Sequence, residues 1–116
     1  MRRWNGWGEE STVVELPAHG AGFLAELIGP GQVLPDASLE QVLAQVPASR
    51  LGEPHALISV DAEVRVRHAR GQSLPDWLAM REGRFEVFPD GVALPESAGQ
   101  IRELLAWAQQ QDVILI

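Results

Sequence analysis

The last quarter of the chain constrains the fold more tightly than any other part. A short apolar run, Gly91 to Leu94, is closed by Pro95. Ser97 and Gln100 then stand at capping-box spacing, where each side chain satisfies a free amide at a helix start. Ile101, Leu104, Leu105 and Ala108 share one helical face, which fades in Gln109-Gln110-Gln111. Asp112 leads into Val113-Ile114-Leu115-Ile116, too short for a helix and rich in branched side chains, the pattern of a strand buried on both faces. Strand, about four turns of helix and strand predict a right-handed βαβ unit. A strand of that kind needs neighbours on its edges and helices on its faces, and little sequence is left to supply them. The ending therefore reads as truncated. The alternative is a small α+β domain whose last strand pairs with the N-terminal one.

Upstream the signals are mainly helical. Ser11 to Leu16 is expected to form a short strand closed by Pro17. A helix over Ala18 to Ile28 carries Phe23, Leu24, Leu27 and Ile28 at helical spacing and ends at Gly29-Pro30-Gly31. A second starts at Ser38, again with a capping-box partner, Gln41, and presents Leu39, Val42, Leu43 and Val46 before Pro47. Residues 47–60 read as a surface loop containing a solvated His55. A third helix starts near Ser73, with Pro75 and Asp76 in its first turn, and breaks at Gly83. The fold class that follows is α+β: a mainly helical region over 1–88, then an incomplete βαβ over 89–116.

Nine arginines, no lysine and sixteen acids give a net charge of −7, which disfavours phosphate backbones and anionic membranes. With no cysteine, disulfides, thiolate metal sites and cysteine nucleophiles are excluded. No apolar run is long enough to span a bilayer. The cytoplasm is the expected location.

His19, His55 and His68 are far apart, without the close-spaced partner of a metal-ligand pair. Ser73, His68 and Asp76 are too close in sequence to arrange readily as a triad. The glycines match neither the dinucleotide fingerprint nor a P-loop. Two segments carry more. Trp4-Asn5-Gly6-Trp7-Gly8 puts two indoles on a glycine-punctuated stretch. Nucleobase stacking is opposed by the net charge, and packing on the rest of a larger protein is preferred. Arg65-Val66-Arg67-His68-Ala69-Arg70-Gly71 is a basic island. If it is extended, alternation sends Arg65 and Arg67 to one side, where with Arg70 they are candidates to grip a phosphate or carboxylate. The alternative is internal pairing with Asp61, Glu63, Asp76 or Glu82.

These segments resemble the N-terminal part of FAD-linked oxidases of the alkylglycerone-phosphate synthase type, in the vanillyl-alcohol oxidase superfamily. The resemblance rests on Trp4-Asn5-Gly6-Trp7-Gly8, on Arg65-Val66, Ala69, Gly71 and Leu74, and on Arg81-Glu82-Gly83, Phe85-Glu86, Pro89-Asp90, Val92 and Pro95. Val64 departs from the family, which has an acid at that place. The resemblance implies that 89–116 is the first βαβ of a truncated FAD-binding domain, with the glycine-rich pyrophosphate loop and the substrate domain downstream. It implies FAD in the full-length parent and none for this chain alone, and it carries no catalytic residue onto the chain. Leu94 and Pro95, at the carboxyl end of the first strand, are placed at the cofactor's border. The parent would oxidise a hydroxy acid or carry out alkylglycerone-phosphate chemistry, with Arg65, Arg67 and Arg70 facing an anionic substrate. The expected partner is the remainder of the flavoprotein. The competing expectation is a stand-alone, non-catalytic acidic interaction module, with self-association through Val113 to Ile116 a hazard of either.

Overall fold

Capping side chains decide where most of the regular structure begins. A computed structural model describes residues 1–116. Its elements are helices α1 (Gly20–Ile28), α2 (Leu39–Leu43), α3 (Ala62–Arg67), α4 (Leu74–Arg81) and α5 (Ala98–Gln111), and strands β1 (Ile58–Ser59) and β2 (Val92–Ala93). Ser38 and Ser73 each complete a reciprocal capping box, with Gln41 and Asp76. At α5 the box is half-made. Ser97 accepts from the Gln100 amide, but the Gln100 side chain accepts from Glu96 N instead of the cap amide.

The α+β class holds, and four of the five helices fall where the sequence places them. The exceptions have physical reasons. Residues 11–16 form no strand, because the N-terminal loop closes on itself through an Arg2–Glu9 bridge and the Arg3 amide bond to Gly8 O. The basic island is not extended. Asp61 caps α3 by accepting from the Val64 amide, which commits 62–67 to a helix. The only sheet is antiparallel, with Ile58 opposite Ala93 and Ser59 opposite Val92. Val113 to Ile116 joins no ladder, so the βαβ has its first strand and helix without a second strand, and Ile114 and Ile116 are exposed.

The core is small and lies between the N-terminal loop, α2, α3 and α4. Trp4, Val42, Val66, Trp77 and Met80 form it, with Leu39, Leu43, Phe85 and Phe88 packed around them. Trp4 thus fills this chain's own core, against the expectation that both indoles would pack elsewhere. Gly83 ends α4 at φ 68°, and a Cβ there would stand 3.0 Å from the Ala37 Cβ. Gly91 lets β2 approach β1, since a Cβ would meet Ile58 Cγ2 at 2.5 Å.

Candidate functional site

The arginines of the basic island are positioned by α3 and the turn after it. In a helix, two residues' separation puts side chains on different faces, so Arg65 and Arg67 diverge. Arg65 points inward and is only 3% exposed. Its Nε donates to Pro89 O at 2.6 Å and its Nη1 to Pro47 O at 2.8 Å, while Nη2 has no acceptor. It thereby ties the loop after α2 to the entrance of β2. Arg67 pairs with Glu63 at 2.6 Å and donates to Arg2 O at 3.0 Å, pinning the N-terminal loop to α3. Arg70 donates to Arg84 O at 3.0 Å, lies 3.9 Å from Asp76 and stands 6.0 Å from the Phe85 ring centroid.

The three guanidiniums therefore engage three separate sets of partners and do not converge on one cavity. Of the four acids that internal pairing pointed to, Glu63 and Asp76 face the island's arginines, while Asp61 caps α3 and Glu82 pairs with Arg84.

Beside Arg65 lies a contact with no local signal in the sequence. Asp90 receives Nε and Nη2 of Arg50, with Nη2 at 2.6 Å, and its Oδ1 also accepts the Arg50 amide at 3.0 Å. These bonds from Arg50 hold the Asp90 carboxyl below its usual range. Asp76 is likewise held low, mainly by the Ser73 hydroxyl and amide. A shallow recess of about 430 Å³ opens next to the clamp, bordered by Pro47, Arg50, Phe85, Phe88 and Asp90. Its guanidinium is already neutralised by Asp90, so it offers no spare charge to an anion.

At the carboxyl end of β2, the Leu94 amide donates to Leu57 O at 3.0 Å, and Pro95 has no N–H. Leu94 is exposed. Neither residue has a free backbone donor for a pyrophosphate, so what they can offer a flavin is an apolar edge. The phosphate-binding part of a flavin site does not fit these two residues.

A second groove, about 700 Å³, runs between the N-terminal loop and α4, lined among others by Trp7, Val13, Val14, Leu74 and Leu78. Trp7 meets Trp77 edge to face at 6.0 Å and is otherwise exposed. The Trp77 indole N–H is buried without an acceptor. His55 packs on Trp107 at 6.0 Å and its Nδ1 accepts from the Leu57 amide, so it is a structured loop residue rather than a solvated one. No three His, Asp or Glu side chains come together in a way that could hold a metal ion. No helix is long and apolar enough to cross a membrane.

No protein-family profile matches the chain. It is similar to the alkyldihydroxyacetonephosphate synthase of Trypanosoma brucei brucei, 23% identical over 144 aligned positions that take in 98% of this chain and 24% of that protein. In structure it is similar to a solved alkyldihydroxyacetonephosphate synthase, with a TM-score of 0.73 and 21% identity over 99% of this chain and 27% of the other. The chain thus spans about a quarter of the length of these proteins. In sequence and fold together, it is homologous to a portion of alkyldihydroxyacetonephosphate synthase.

Proposed function

We propose that this chain serves as a framework piece of a flavin-dependent enzyme and has no catalytic activity alone. The observation that carries the reading is the joint match in sequence and fold over nearly the whole chain, to proteins about four times as long. Residues 1–88 form the helical region and 89–116 begin the FAD-binding domain. FAD belongs to the complete protein, where Leu94 and Pro95 border it with apolar surface.

The names of the similar proteins favour alkylglycerone-phosphate chemistry over hydroxy-acid oxidation. Within that enzyme the arginines act structurally. Arg65 and Arg50 fix the entrance of β2, and Arg67 fixes the N-terminal loop. Phosphoryl or carboxylate recognition falls to residues outside this chain, since each of its arginines near β2 is already engaged. The work proceeds in the cytoplasm.

The alternative, a stand-alone interaction module, draws on the exposed apolar run Val113 to Ile116. Flavin fluorescence during titration of the 116-residue chain into FAD tests the reading. No quenching is expected, and stoichiometric quenching would overturn it. Co-expression with a flavin-carrying polypeptide separates framework from module. The framework reading expects FAD to be retained in the joint complex, whereas a colourless complex favours the module.

A further inference from the structure

The segment from Val13 to Leu34 is an apolar arm that buries none of its large side chains, although Val13 and Val14 border the groove beside α4. Its helix, α1, contributes no buried residue, and Phe23, Leu24, Leu27 and Ile28 are all exposed. Val13, Val14, Leu16, Val33 and Leu34, on either side, are exposed as well. An isolated helix shorter than about 12 residues is marginal in water, so nine residues need tertiary packing to persist. On its own chain α1 buries no residue. Yet the fold match takes in 99% of the chain, arm included, in a protein of which it is only 27%.

Charge selects among possible covers. Within the arm there is no arginine or lysine, and its charged residues are Glu15 and Glu26; of the flanking acids, Glu9 pairs with the N-terminal amine and Asp36 with Arg81. A second copy would bring the same acidic arm, and like charges across an interface oppose pairing. The surface that suits this arm is apolar at its centre and rimmed by arginine or lysine. We infer that the arm, with α1 as its anchor, docks into an apolar groove with a cationic rim on the flavin-carrying part of the enzyme. This rests on the framework reading above and adds the place and chemistry of the contact.

Because the chain has no cysteine, single cysteines can report on the arm. The probe protein is the 116-residue chain joined to the flavin-carrying portion of the trypanosome synthase, from which the aligned quarter has been removed. Leu27→Cys reports on the arm and Glu53→Cys, on an exposed loop, is the control. N-ethylmaleimide labelling of each is followed by peptide mass spectrometry, in the joined protein and in the chain alone. Labelling at position 27 is expected to slow by about tenfold or more in the joined protein, as for a site exposed only by local opening, with position 53 unchanged. Labelling that slows at both positions, or at neither, overturns the docking. Glu26→Arg is expected to weaken the protection, and stronger protection would overturn the cationic rim. Flavin absorbance is read on the same samples. A yellow protein with position 27 unprotected sinks the docking and leaves the framework reading intact. A colourless one with position 27 alone protected retires the flavin reading and supports the docking.

Discussion

At the scale of single residues, the chain spends its buried charge on holding loops together. Arg65 is the one buried charged side chain, and its two carbonyl bonds join Pro47 to Pro89. Arg65→Met removes both bonds and leaves two carbonyls without their donor, each bond from a charged group being worth about 1.5–3 kcal/mol. Urea unfolding followed by tryptophan fluorescence is expected to show a loss of about 3 kcal/mol. Arg65→Lys, which keeps the charge but not the fork, should recover only part of it, and an unchanged midpoint in both variants would remove the latch. The Arg50–Asp90 clamp adds a pH dependence. Asp90 has its folded pKa held down, so its contribution is complete above the unfolded value near about 4 and is lost as pH falls through the folded one. Stability should therefore drop on the acid side, and Asp90→Asn should flatten that drop. An acid limb identical in wild type and variant would contradict the assignment. Neither contact was legible beforehand. Arg50 and Asp90 are 40 positions apart, and no local pattern distinguishes a buried arginine from a solvated one.

At the scale of elements, the caps and β2 were legible, and β1 was not. α2, α4 and α5 start where a serine precedes a partner by three residues, a signal the chain prints locally. α3 was hidden because Val64-Arg65-Val66-Arg67 alternates like a strand. Asp61, which caps it, was the signal that could have found it. β1 is two residues long, too short for any period to show, whereas β2 lies inside the apolar run Gly91 to Leu94. Ser73→Ala should cost about 1 kcal/mol in urea unfolding, because the cap side chain satisfies an otherwise free amide. Asp112 ends α5 in the left-handed region at φ 54°, so Asp112→Gly should raise stability by about 0.5 kcal/mol. A lower midpoint for the glycine variant would show that the Asp112 side chain contributes more than its backbone strain costs.

At the scale of the whole molecule, shape is the main finding. Only 10 of 116 residues are buried, and the radius of gyration is 18.6 Å against about 13 Å for a compact domain of this length. The long dimension is 58 Å against 27 and 24 Å. That much uncovered apolar surface is in keeping with the proposed framework role, and the chain spans about a quarter of the length of the proteins it is similar to. The sequence showed this only indirectly, through an apolar C-terminal run with no neighbour to pair with. The framework role is tested most directly by FAD occupancy in the joined protein described above, measured from visible absorbance per polypeptide after gel filtration. The expected result is close to one FAD in the joined protein and none in the 116-residue chain or in the flavin-carrying portion without it. Equal FAD occupancy with and without this chain would contradict the framework role.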